Sequence, residues 1–301
     1  MEKKKISNPL QVGYVRRYTL TEGKENGLKV VELCNSTLRV LLNESKALDI
    51  MQVWHKGVNM SFVSKNGFTA RETPFLNRFE GGMLYSCGLD SIGGREGYTL
   101  HGTFHNNPAK VVEILEEGDC LRAKAVTEVT SLFGENLAME RTVTLRDGKL
   151  KLEDTLVNRG TREEDYCLLY HINLGYPMLD EGTEVLVDAA SIKPRTPHSA
   201  ANMDAREVFP APMNNEEERC YLIENNQDFV TVLNRKLGRR LTLSYSKDTL
   251  PCFLQWSSPA SQDYALGLEP ATSFLDDQFA YRKIAPAEQK AFFVELSFED
   301  M

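Results

Sequence analysis

The chain has 301 residues and 42% hydrophobic side chains, enough to bury a large core and too many for a disordered chain. Its net charge of −8, from 43 acidic and 35 basic residues, argues against nucleic-acid binding, which needs clustered Lys and Arg to meet phosphates. No apolar run approaches the roughly 18 residues of a membrane helix, and the basic start MEKKKISNPL is not followed by the apolar stretch of a signal peptide.

From there the pattern is β almost throughout. LKVVELC and STLRVLLNE are β-branched runs split by Asn35-Ser36. An irregular stretch then runs from about Ser64 to Pro108, with glycines at 67, 81, 82, 88, 93, 94, 97 and 102; a loop that long inside a compact fold is usually functional. KVVEILEEGDCLRAKAVTEV reads as two strands around Glu117-Gly118-Asp119. LAMERTVTLRDGKLKLEDTLVN is the strongest hairpin, two alternating runs joined through Asp147-Gly148, a preferred tight-turn pair. DYCLLYHINLGYP sets His171 near the end of an apolar strand that Gly175 and Pro177 terminate. Pro194 to Pro212 reads as loop, and NNEEERCYLIEN as a short helix or a charged loop. FVTVLNRKLGRRLTLSYS, YALGLEPAT and KAFFVELSFE complete the strands.

With no 20- to 50-residue repeat and no break in composition, the expectation is one all-β domain over residues 1–301, a large sandwich of antiparallel sheets. Six cysteines, at 34, 87, 120, 167, 220 and 252, have no C-x-x-C spacing; free thiols in a reducing compartment, hence a cytoplasmic protein, are expected.

The motifs exclude several chemistries. CGLDSIGGREG contains neither G-x-G-x-x-G nor a Walker lysine, and no G-x-S-x-G elbow is present. His101 and His105 are four apart, but between Gly102 and Pro108 they are not on a helix face, so no metal site is expected. What remains is a set of polar residues at the ends of apolar runs: Arg78 in FLNRFEGG, His101 in YTLHG, His171, and Glu269 in LEPAT. Each alone has an ordinary structural reading, as a surface ion-pair partner, a loop or core histidine, or a solvated carboxylate. Together they are two imidazoles, a carboxylate and a guanidinium, the parts of a proton-transfer site.

These residues carry a resemblance. NRFEGG followed by His101-Gly102, a histidine on a later strand and a Glu-Pro pair near the C-terminus resemble the aldose 1-epimerase (galactose mutarotase-like) superfamily. GGMLYSCGLD, EGYTLHG, HINLGYP and LEPAT, in that order along nearly the whole chain, are most similar to its bacterial branch known only as a domain of unknown function. The resemblance implies an antiparallel β-supersandwich with an open carbohydrate cleft and anomer interconversion of a free monosaccharide without a cofactor. It implies His171 as general acid and Glu269 as general base on opposite sides of the anomeric centre, with Arg78, His101 and Asp90 binding sugar hydroxyls. The further aspartate of galactose-type enzymes has no motif here, Asp188 and Asp228 being unsupported candidates; His55 and His105 match nothing and are read as structural. Two other functions stay open: a sugar-binding protein without the reaction, and an epimerase of a phosphorylated hexose, which would want an arginine pair such as Arg16-Arg17 or Arg239-Arg240.

Overall fold

In the computed structural model, which describes residues 3–301, 51% of residues are in strands and 8% in helices. The fold is the expected all-β architecture, a large sandwich of antiparallel sheets. An N-terminal sheet of five strands is a simple up-and-down succession from Gly13–Thr19 to Val58–Asn59. An eight-stranded sheet contains the meander Ala109–Glu117, Cys120–Thr130, Asn136–Arg146 and Lys149–Asn158, continued by the C-terminal strand Gln289–Asp300. Its hairpin at Asp147-Gly148 has positive φ at both residues, 48° and 72°, the backbone a two-residue turn needs to match the strand twist. Side chains of Cys120–Thr130 alternate between buried and more exposed, so this sheet turns one face to the core and one to water.

A seven-stranded sheet positions the site. Its strands include Leu84–Leu89, Glu164–Leu174, Ala189–Pro194, Arg219–Asn225, Cys252–Ser258 and Ala265–Ala271. Here alternation of burial disappears, because both faces are covered: every residue of Ala265–Ala271 is buried. The two faces remain distinct by parity. Leu168, Tyr170 and Ile172, with Leu266 and Leu268, join the main core between the sheets. Cys167 and Leu169, with Ala271, Leu254 and Leu222, join a smaller apolar cluster on the other face. His171 continues the second series and Glu269 precedes Ala271 in it, so both project away from the main core.

Two readings of the sequence need correction. The stretch from Ser64 to Pro108 is not all loop: Leu84–Leu89 is a fully buried strand paired with Glu164–Leu174. Its flanking glycines disguised it, and burial on both faces removed the alternation that marks a half-exposed strand. NNEEERCYLIEN is not a helix: turns lead into the Arg219–Asn225 strand. All six cysteines are free.

Candidate active site

On the outer face of the seven-stranded sheet lies an open cavity of about 460 Å³. His171 and Glu269 lie at its floor, on neighbouring antiparallel strands. The register pairs Leu169 with Ala271 and Ile172 with Leu268, which sets His171 opposite Glu269 on one rung. Their side chains are therefore adjacent: His171 Nε2 stands 3.1 Å from Glu269 Oε1, off the line of a hydrogen bond, so Oε1 has no hydrogen-bond partner. The expected placement on opposite sides of a sugar is thus corrected to side by side, the geometry of a cross-strand pair. Trp256, one strand further, flanks the imidazole with ring centroids 5.5 Å apart. Gly267 makes this crowding possible, for a Cβ there would lie 2.8 Å from Glu269 Oε1 and 2.9 Å from His171 Cε1.

Burial sets the protonation of the pair. His171 and Glu269 are 3% and 2% exposed. Desolvation pushes the Glu269 carboxyl up to about 8, against the opposing pull of Arg195, and draws the His171 imidazole down to about 4. Between those values the pair holds one proton and no net charge.

His101 lines the cavity beside them, its ring nearly perpendicular to that of His171 at 5.5 Å. Its Nδ1 accepts from the Gly93 N–H at 3.3 Å, which leaves the Nε2–H as a donor. Burial and the neighbouring His171 lower its basicity to about 3, so it stays neutral. The backbone fixes this ring: His101 has φ 64° and its N–H and C=O bond to Gly93 and Gly88. The glycine that follows is obligatory, since a Cβ at Gly102 would sit 2.5 Å from Ser91 O and 2.6 Å from Gly88 O.

Arg78 and Asp90 do not line this cavity. Arg78 ends the short Phe75–Arg78 helix, whose Phe75 and Leu76 form a cavity wall together with Phe79. With the Asn106 amide oxygen turned toward it, the Arg78 guanidinium donates to Asn106 at 3.0 and 3.3 Å. Asp90 Oδ1 accepts from the Thr103 N–H at 2.9 Å and from the Ser91 N–H at 3.1 Å. It braces the turn that carries His101, which is why it is drawn away from the cavity. Asp188 is held outside by Asn226 and Gln227, and neither it nor Asp228 reaches the cavity.

Sequence reasoning missed four charged lining residues: Lys65, Arg195, Glu218 and Asp263. Lys65 pairs with Asp263 at 2.7 Å, and Glu218 accepts from the Trp256 indole N–H at 2.8 Å. Arg195 follows the Ala189–Pro194 strand, anchored by its N–H to Cys220 O at 2.9 Å. Only the Pro194–Pro212 loop's proline content drew notice, and an exposed loop arginine has no local signature.

His105 belongs to a buried network behind the site. Its Nδ1 lies 2.6 Å from Asp49 and its Nε2 3.4 Å from Glu80, while its ring stacks on Tyr85 at 3.8 Å. Arg141 bridges Asp49 and Asp154 at 2.5 and 2.7 Å. Desolvation works against a charge on His105, but the hydrogen bond to Asp49 and the nearby Glu80 carboxylate outweigh it and raise the imidazole above its ordinary value. Among the described residues no three His, Cys, Asp or Glu side chains cluster as a metal site.

Solved structures share this fold. A Klebsiella pneumoniae protein provisionally assigned as an aldose 1-epimerase is 20% identical, with a TM-score of 0.85 over 94% of this chain and 83% of that one. A galactose mutarotase-like protein from Clostridium acetobutylicum is 14% identical, with a TM-score of 0.74 over 97% of this chain and 100% of that one. A third, from Lactobacillus casei and also galactose mutarotase-like, is 14% identical, with a TM-score of 0.64 over 90% and 100%. The curated proteins give no significant match. Residues 25–297 match the model of the family described as a domain of unknown function, DUF4432, and on that match, with its motifs spread along a galactose mutarotase-like sandwich, the chain belongs to that family.

Proposed function

We propose that this protein interconverts the anomers of a free monosaccharide by acid–base ring opening and reclosure. The observation that carries the reading is the His171–Glu269 pair, one imidazole and one carboxyl 3.1 Å apart on the floor of an open cavity. The anomeric hydroxyl and the ring oxygen of a pyranose are bonded to the same carbon. Two adjacent side chains can therefore reach both, and a placement across the ring is not required.

In the reactive form Glu269 is a carboxylate and His171 an imidazolium, a tautomer of the neutral pair reached by moving one proton between them. Glu269 takes the proton of the anomeric hydroxyl. The bond from the anomeric carbon to the ring oxygen breaks, and the ring oxygen takes its electron pair and a proton from His171. The bond between the anomeric carbon and its carbon neighbour rotates in the open-chain aldehyde, and closure on the other face returns both protons. Microscopic reversibility exchanges the roles, so the pair needs one proton in total. His101 Nε2–H donates to a sugar hydroxyl, and the Trp256 face and the phenylalanine wall take the apolar face of the ring.

Polarimetry or NMR saturation exchange on freshly dissolved aldoses tests this. Positioned proton transfer typically contributes about 10² to 10⁴ in rate. His171→Asn and Glu269→Gln are each expected to lower kcat at least about 10²-fold with sugar binding retained, and the double variant to cost less than the product. Wild-type protein that binds an aldose without accelerating anomerisation would instead be a sugar-binding protein.

A further inference from the structure

Among the described residues Arg195 is the lining cation without a carboxylate partner; the side-chain group it meets is the Cys220 thiol. Five lining residues carry acidic or basic side chains other than imidazole: Lys65, Arg195, Glu218, Asp263 and Glu269. Lys65 is matched by Asp263, and Glu218 holds the Trp256 indole. No carboxylate stands within ion-pair distance of Arg195 among the described residues, although a guanidinium is the group best built to take one in a two-point fork. The nearby Glu216 is taken by Arg219 at 2.7 Å and His198 at 3.0 Å. The backbone at Arg195 is pinned to Cys220, a strand that contributes to the cavity wall, so the charge is held at the site and not on a free tail.

Resting on the reading above, we infer that the substrate is an acidic monosaccharide, an aldose carrying a carboxylate that Arg195 binds. Arg195 lines the same cavity as Glu269 and His101, and its charge opposes protonation of both. In a hexuronate the carboxylate is attached to the ring carbon next to the ring oxygen. A hexuronate seated with its ring oxygen at His171 would carry that carboxylate within the cavity that Arg195 also lines. A phosphate would place two charges against one guanidinium, and the adjacent pairs Arg16-Arg17 and Arg239-Arg240 do not line the cavity. One fork matched to one planar anion favours the carboxylate.

The test uses the full chain and four probes: galacturonate, glucuronate, galactose and glucose 6-phosphate, each followed by NMR saturation exchange, with binding measured in parallel by calorimetry. At least one hexuronate is expected to exceed the neutral sugar in kcat/KM by about 10-fold or more. Arg195→Ala should reduce that ratio at least about 10-fold, and Arg195→Lys should restore part of it through charge without the fork. Calorimetry should show the same selective loss of hexuronate affinity, which keeps the test independent of turnover. Equal or better turnover of galactose, an unchanged ratio in Arg195→Ala, or preference for the phosphate would each overturn the inference while leaving anomer interconversion intact. Failure to accelerate any of the four, with selective hexuronate binding that Arg195→Ala abolishes, would retain the ligand class and sink the reaction.

Discussion

Replacing Gly267 by alanine tests the floor of the cavity with a single methyl group. The backbone there has a φ that any L-residue adopts, so the substitution adds atoms without adding backbone strain. The new Cβ would lie 2.8 Å from Glu269 Oε1, 2.9 Å from His171 Cε1 and 3.2 Å from Trp256 Cε3. Ordinary non-bonded contact begins at about 3.5 Å, so the Glu269 and His171 side chains must each retreat by roughly 0.6 to 0.7 Å and the indole by about 0.3 Å. A misplacement of about 1 Å at a reacting centre costs on the order of 10²-fold in rate. The expected loss for Gly267→Ala is therefore about 30- to 100-fold in kcat, with overpacking costing about 1 to 3 kcal/mol of stability. Thermal unfolding would confirm a folded variant, and saturation-exchange NMR on the preferred sugar would give the rate. A folded Gly267→Ala protein within about threefold of wild-type turnover would refute the claim that His171 and Glu269 react from the position their strand pairing gives them.

The pH dependence follows from the same pair. With His171 lowered to about 4 and Glu269 raised to about 8, the one-proton form prevails between those values. Then kcat/KM should fall on the acid side, where both groups are protonated, and on the alkaline side, where neither is, and the two limbs belong to the pair as a unit. A profile flat from pH 4 to 9 would speak against any titrating pair in the reaction. Behind the site, Arg141 is 1% exposed by its side chain and holds two carboxylates. Arg141→Ala leaves Asp49 and Asp154 buried without their counter-charge and should cost about 3 to 5 kcal/mol, read by urea unfolding. A loss below about 1 kcal/mol would mean that water or His105 takes over its role.

Much of this is legible in the sequence, for physical reasons that differ from residue to residue. The hairpin at Asp147-Gly148 announces itself because only a few residue pairs tolerate two positive φ values, and the meander around it alternates because one of its faces meets water. His171 and Glu269 stood out because a polar side chain inside an apolar run must be satisfied or used. Arg78 and Asp90 sat in equally suggestive motifs, yet the helix at Phe75–Arg78 turns the first toward Asn106 and the turn at Thr103 draws in the second. No local pattern encodes which of several motif residues ends up facing the cavity. Arg195 and Leu84–Leu89 were missed for opposite reasons. The arginine depends on where a proline-rich loop is tethered, and the strand is so completely enclosed that it lost its periodic signal.

The cross-strand rung that joins His171 to Glu269 also limits how this protein can change over evolutionary time. The same two strands present Tyr170 and Leu268 to the main core on their reverse side. A slip of one residue in either strand would exchange the faces, sending His171 or Glu269 into the apolar interior and a core side chain into the cavity. The position of the pair is thus inherited together with the core and cannot drift separately from it. The walls are under no such constraint, because Lys65, Leu76, Leu100 and Arg195 all come from segments outside the ladder. If the proposed function holds, new sugar preferences in relatives of this chain should be written in loop substitutions and insertions around an unmoved pair. Comparing loop lengths across such relatives would sort them by ligand before any of them is assayed.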